Sequence, residues 1–346
     1  MIRSRRSGFS LLALGVSAAV IFGMLGIAID LGRMYIARSE SQSYVDAATL
    51  TAALELDGTE AGLQRARDII AASVNKWNFG NNSFSNRDIQ FSTAPDSGFE
   101  ANPASAANVR YIKVESRVDQ SNFFMPLIGA AIQAPVRAQA IGGQAEKTSF
   151  SEGSFPFSPL AHNAAQPDFG LEKGQLYTIR WAANPKTNQN VCPGDNDDIW
   201  INQAEAGRGS ERGYIEETSA SLIREAIIGN YQTATLSVGD TVSMTGGAKQ
   251  TERDALHTRV GQDSDPNAPN FASYHGNGRR LVVMPINTYS PNYTVLGFRA
   301  FFLLPANQYG TGGNTEWCAE YVGSYVQGSR TQGAGASGAY VARLVQ

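Results

Sequence analysis

Between Phe9 and Ile29 the chain runs 21 residues, FSLLALGVSAAVIFGMLGIAI, without one charged side chain. At about 1.5 Å per residue such a helix covers the roughly 30 Å hydrocarbon core of a bilayer. The run therefore predicts a membrane-spanning helix over 9–29, preceded by a basic head, 1–8. Arg3, Arg5, Arg6 and the amino terminus stand before it, and Arg33 and Arg38 after it. This modest excess of positive charge favours a head in the cytoplasm and the rest of the chain across the membrane, an orientation that needs other support. Two other readings of the start stay open: a cleaved signal peptide ending near Gly26-Ile27-Ala28, and a twin-arginine signal built on Ser4-Arg5-Arg6.

Gly15, Ala19 and Gly23 recur every four residues and lay a small-residue stripe along the span, where a second copy or another protein's helix can approach closely. Gly and Ala are also ordinary constituents of membrane helices, so the same stripe has a purely compositional reading. Beyond the span, Asp30 to Leu56 contains no Pro and no Gly after Gly32, and it is rich in good helix formers. It predicts a neck helix over 30–57 that continues the span. Arg38 to Ser43 read as its solvated part, and Tyr44, Ala47, Ala48, Thr51 and Ala52 as its packing face. Asp57-Gly58 supplies the stop.

Arg5-Arg6-Ser7-Gly8, the apolar span, Ala28-Ile29-Asp30-Leu31-Gly32-Arg33-Met34-Tyr35 and the Ala-rich stretch Tyr44 to Ala53 resemble, in this order, the N-terminal module of the TadE/TadG-like proteins of Flp (tight-adherence) pilus assembly. Further along, Pro156-Phe157, Gly239-Asp240, Arg280 to Ile286 and Gly297-Phe298-Arg299 are similar to the periplasmic halves of related proteins. The resemblance implies a non-enzymatic, single-pass component of the bacterial inner membrane with a periplasmic domain. Its partners would be the membrane and other Tad/Flp pilus-assembly proteins of the inner membrane and periplasm, with self-association through the stripe as a further mode. Asp30, Gly32 and Arg33 form the membrane-exit motif it points to. A minor pilin or surface adhesin is the structural alternative, and it requires cleavage after Gly8; Ala13 stands where pilins usually carry Glu. Some relatives add a metal-binding adhesion domain with an Asp-x-Ser-x-Ser loop. Asp119-Gln120-Ser121-Asn122-Phe123 lacks the second Ser, so no metal is expected from that source.

The fold class expected for the remainder is α+β, in two parts. A small α+β domain over 58–143 begins with an amphipathic helix, Ala61 to Trp77, and a turn cluster, Asn81 to Asn86. Strands follow at Ile89 to Ser92, Val109 to Val118 and Pro135 to Ile141, with a short apolar helix in Asn122 to Ile132. A Gly/Ser/Pro-rich linker is expected over 144–159. A β-rich domain over 160–346 then carries strands at Leu176 to Ala183, Ile199 to Asn202, Thr235 to Thr245, Arg280 to Thr288 and Tyr293 to Leu304. Helices are expected at Arg212 to Ile228 and Thr251 to Val260, a loop at Gly323 to Gly338 and an edge strand at Ala339 to Val345. Phe298 and Phe302 alternate with Arg299, Phe301 and Leu303, which predicts a central strand buried on both faces.

Chemistry-bearing patterns are few. Net charge is -3 with 17% charged residues, and the basic residues are scattered, so no nucleic-acid partner is expected. Cys192 and Cys318 are the only cysteines, an even count that predicts one disulfide in an exported domain and leaves two buried thiols as the alternative. Neither cysteine has a second ligand at zinc spacing, and His162, His257 and His275 lie apart, so no metal or cofactor is expected. Gly194 to Asp198 is the densest acidic run and reads as a solvated turn, with calcium as the rival. No nucleophile elbow, Ser-x-x-Lys pair, His-Glu-x-x-His helix or phosphate loop is present, so no catalytic residues are assigned; an exported hydrolase with an unsigned triad is the enzyme alternative.

Overall fold

The computed structural model describes residues 7–73, 86–182, 191–195, 211–215, 219–229, 232, 234–246, 251–288, 292–310, 315–323 and 339–345. Two compact units emerge: Met1–Gly143 with Arg343–Gln346, and Gln144–Ala342.

Helix α1, Ser7–Ala53, is unbroken for 47 residues, roughly 70 Å at 1.5 Å per residue. It is the one helix among the described residues long and apolar enough to cross a membrane. Its lower half exposes Phe9, Leu11, Leu12, Phe22 and Met24, whereas its upper half buries Tyr44, Val45, Ala48, Ala52 and Ala53. The packing face is thus rotated from the expected one: Ala47 and Thr51 are exposed, and Val45 and Thr49 take their places inside. The neck is also less solvated than expected, since Ser41 is fully buried and Gln42 Nε2 donates to the carbonyl of Gln139 at 2.9 Å.

Helix α2, Glu60–Ala72, starts at Thr59, whose hydroxyl accepts the Gly62 N–H at 3.0 Å. Leu63, Ala66 and Ile70 are its buried face. The helix ends at Ala72, earlier than expected; Trp77 and the turn cluster from Asn81 to Ser85 lie outside the described residues. Strands β1 (Asn86–Ser92), β2 (Tyr111–Ser121) and β3 (Gln133–Glu146) form an antiparallel sheet, with β13 (Tyr340–Val345) at its edge in the order β1-β2-β3-β13. Ile112, Val114 and Ser116 of β2 and Val136, Ala138, Ala140 and Gly142 of β3 are buried, and the residues between them point outward. The stretch from Asn122 to Ile132 holds only a single 3₁₀ turn, Met125–Ile128, in place of the expected helix. Pro126 lacks the N–H a longer helix needs, and Gly129 at φ 84° ends the turn.

In the second unit, β10 (Leu281–Asn287), β11 (Tyr293–Leu303), β12 (Trp317–Gly323) and β5 (Leu176–Arg180) make an antiparallel sheet in that order, joined by β8 (Thr241–Val242) on β11. Strand β11 is central, and Phe298 to Leu303 are buried throughout. Helices α3 (Ala220–Ile228) and α4 (Thr251–Gly261) contribute Ile223, Ile227, Leu256 and Val260 to a core that includes Phe157, Tyr214, Phe301 and Trp317.

Residues 144–159 are not a linker. They contain β4 (Ser149–Phe150), and Phe155 and Phe157 are buried, with Ser154 bridged to Val283 and Phe157 to Tyr214. The aromatic side chains outweigh the Gly, Ser and Pro around them. The start of the helix expected at Arg212 is instead strand β6, Glu211–Ile215, paired with β9, Met244–Gly246. Gly213 at φ 93° lies so close to the Ile179 carbonyl that a Cβ would sit 2.5 Å from its oxygen. The strand expected over Thr235 to Thr245 is split into β7 (Leu236–Ser237), β8 and β9, with Gly239 at φ 93° in the turn after β7. The expected strand at 199–202 and the loop at 324–338 lie outside the described residues.

Candidate functional site

Asp30 and Arg33 meet a segment nearly one hundred positions away in sequence. Asp30 is almost fully buried, and its carboxylate accepts the backbone N–H groups of Phe123 (3.0 Å), Phe124 (2.7 Å) and Met125 (2.8 Å). These are the orphan donors at the start of the 3₁₀ turn, the kind of group that needs an acceptor side chain. The Arg33 guanidinium lies over the Phe123 ring, 4.1 Å from its centroid. One turn below Asp30, Gly26 is covered by Phe124, and a Cβ on Gly26 would lie 2.5 Å from that ring.

Four further N–H groups of the loop are satisfied from within. Leu127 N–H donates to Phe124, Gly129 N–H to Pro126, Ala130 N–H to Met125 and Asn122 N–H to Ile132, while Asn122 Nδ2 reaches the Ala131 carbonyl. The apolar side chains turn outward: Phe123 is 61%, Leu127 80% and Ile132 71% exposed.

Gly15 and Ala19 are exposed and Gly23 half-buried on the same helix, and Gly15, Gly23 and Gly32 have no atom within 4 Å of where a Cβ would stand. At about 100° per residue, Gly15, Ala19, Gly23, Gly26, Asp30 and Arg33 fall within roughly 80° of one another. Gly26, Phe123 and Phe124 were not linked to Asp30 in the sequence. Their signal is the pairing of an apolar run, Phe123 to Leu127, with a lone carboxylate directly after the span.

Higher on the neck, Arg38 and Gln42 of α1 face Arg87, Arg117 and Arg137 across an open cleft of about 630 Å³ that also holds Asp88 and Glu115. Arg117 is paired with Asp119 at 3.5 Å, and Arg87 donates to the Ile70 carbonyl. Asp119 thus serves an ion pair on a strand.

In the second unit, Cys192 and Cys318 form a disulfide with Cα atoms 5.8 Å apart. Beside it, the acidic run departs from a solvated turn: Asp195 accepts the Thr178 N–H at 2.6 Å and sits 2.9 Å from His162 Nε2. The ring edge of His162 meets Tyr177, and among the described hydrogen bonds no Ser or Cys reaches it. Asn196 to Asp198 lie outside the described residues. Among the described residues no group of three or more His, Cys, Asp or Glu side chains could hold a metal ion.

Tyr274 is buried, while His275 next to it is exposed. Tyr274 Oη donates to Asp263 Oδ2 at 2.6 Å and accepts the Gly278 N–H, and burial pushes its phenol well above the usual tyrosine range. Next to it, Arg280 is fully buried; its guanidinium donates to the carbonyls of Leu303, Asp265 and Ala268 and stacks 4.2 Å from the Phe302 ring centroid. Burial lowers its affinity for a proton, but a guanidinium with three carbonyl acceptors stays charged. This cluster ties the α4–β10 connection to the sheet.

Residues 8–55 match the model of the family described as putative Flp pilus-assembly TadE/G-like. That match spans α1 almost end to end, so the N-terminal segment is similar to the TadE/G-like model over this helix. Comparison with curated proteins and with solved structures finds no match.

Proposed function

We propose that the chain is a membrane-anchored, non-enzymatic assembly or scaffold component of a Tad-type (Flp) pilus system. The observation that carries this reading is the coincidence of the family match, residues 8–55, with one continuous helix whose lower half is apolar on every side and whose upper half is packed. In this reading 1–8 is a cytoplasmic head, 9–29 spans the inner membrane once, 30–57 is the neck, and the two units lie in the periplasm. The Cys192–Cys318 disulfide supports an oxidising compartment for the second unit. The arginines before the span support a cytoplasmic head. Asp30, Gly32 and Arg33 set the neck at the membrane exit, while Gly15, Ala19 and Gly23 offer the span to other pilus-assembly helices or to a second copy.

Crosslinking in intact membranes followed by capture of the full chain tests this. Recovery of pilus-assembly proteins, reduced by Gly23→Leu together with pilus output, is expected. Extraction of the protein by carbonate, or crosslinks and pilus output that Gly23→Leu leaves unchanged, refutes it.

A further inference from the structure

We propose that the loop from Asn122 to Ile132 is a second membrane contact, a wedge that enters the periplasmic-side leaflet of the same bilayer beside the span and takes lipid acyl chains as its ligand. The inference rests on the reading that Phe9–Ile29 crosses the membrane, and it adds a contact that no span by itself requires.

Depth is the first argument. Phe124 covers Gly26, three residues inside the uncharged run, and so lies roughly 4–5 Å below the end of the span at 1.5 Å per residue. A ring held against that part of the helix shares its surroundings. Phe123, Leu127 and Ile132 project from the same loop, and no charged residue occurs between Asp119 and Arg137.

The backbone supplies a second, independent argument. A non-helical segment can enter lipid only if its N–H and C=O groups are satisfied internally. Here the three open donors at Phe123, Phe124 and Met125 end on the Asp30 carboxylate, Pro126 has none to offer, and the N–H groups of Asn122, Leu127, Gly129 and Ala130 are taken by the loop's own carbonyls. Arg33 stacked on Phe123 fits the water-facing rim, where a long cationic side chain lies along apolar surface and keeps its head in the interface.

The sheet stands clear of the bilayer in this arrangement. From Gln133 to Gly142 strand β3 climbs about 30 Å, and from Asp30 to Thr49 α1 climbs about 28 Å, with Gly142 against Thr49 at the top. Residues 93–110, between β1 and β2, join the strands at that far end.

The test uses the full chain reconstituted into phosphatidylcholine vesicles with and without lipid brominated near the acyl carbonyls, reading the emission each introduced tryptophan adds to the wild type. Leu127→Trp and Ile132→Trp are expected to emit to the blue and to lose that emission to bromine, as is Phe22→Trp in the span, whereas Asp96→Trp at the far end of the sheet keeps it. If Phe22→Trp is quenched and both loop variants are not, the wedge is refuted and the span stands. If Phe22→Trp is also unquenched, the span reading falls and the wedge with it. Loop emission that is blue but unquenched, or that turns red when the protein is diluted in lipid, assigns the loop to a protein partner or a second copy and overturns the proposal.

Discussion

Gly142→Ala sets two physical effects against each other where the neck helix meets the sheet. The inner face of β3 reads Val136, Ala138, Ala140, Gly142, shrinking towards the point where α1 comes closest. A methyl group on Gly142 would lie 2.8 Å from the Thr49 carbonyl oxygen and 2.9 Å from its carbon. Those atoms belong to the helix backbone and cannot rotate away, so α1 must lift by several tenths of an ångström. A gap of about 0.5–1 Å forfeits a quarter to a half of each dispersion contact it opens, here those of Val45, Ala48 and Ala52. Overpacking of this kind costs about 1–3 kcal/mol. Against it, Ala is favoured over Gly in a strand interior by roughly 0.5–1 kcal/mol. The expected net is a destabilisation of about 1–2 kcal/mol, or roughly tenfold faster amide exchange through Tyr44 to Ala53. Hydrogen exchange on the full chain in detergent reads it, with Gly32→Ala as the control that meets nothing and should be neutral or slightly stabilising. If Gly142→Ala slows exchange in the neck, backbone preference has won and the close-packing account of this junction is wrong.

Replacing both Cys192 and Cys318 by Ser opens a loop of sequence separation 126; the chain-entropy relation gives about 5 kcal/mol lost from the second unit, read as a lower urea midpoint, and a drop under about 1 kcal/mol would mean the open chain is already ordered there. Arg280→Met leaves the carbonyls of Leu303, Asp265 and Ala268 without their donor and should cost about 3–5 kcal/mol by the same assay; a neutral result would show that water or a neighbouring side chain takes over. Glu320 is buried, and burial raises its carboxyl above the usual 4.5 more than the Phe271 N–H lowers it. A raised carboxylate favours the fold below its unfolded value and loses that contribution as pH climbs through the folded one. Glu320→Gln is therefore expected to stabilise the protein at pH 7, with the gain vanishing below about pH 4; a gain that persists in acid would refute the assignment.

Much of the fold was legible because its patterns are local. The uncharged run to Ile29, the Gly-free stretch after it and the double-faced strand around Phe298 to Leu303 each declare themselves within a dozen residues. What was misread depended on partners far along the chain. Phe155 and Phe157 sit among the Gly, Ser and Pro of a linker by composition, yet they are core because Tyr214 and Trp317 come to meet them. Glu211–Ile215 looks helical until Gly213 is pressed against Ile179. Strand β12 escaped notice because its pairing with β11 and β5 is entirely non-local, and so did the burial of Asp195.

The junction at Asp30 is the sharpest case. A carboxylate just past an uncharged span is costly near lipid unless it is paired, and a turn with three open N–H groups is costly there unless something accepts them. Each feature alone reads as a liability: the aspartate as a charge too close to the membrane, the Phe-Phe-Met-Pro-Leu run as a sticky surface. Together they cancel, and Asp30→Asn, which removes the charge, and a polar residue at Leu127, which leaves the turn intact, disturb different halves of the device. Asp30→Asn should loosen the loop from α1 while leaving its apolar tip able to enter lipid; Leu127→Asp should leave the loop docked and expel the tip. Separate measurement of loop protection by hydrogen exchange and of tip depth by quenching therefore distinguishes the acceptor from the wedge, and correlated loss of both in each variant would show that they are not separable parts.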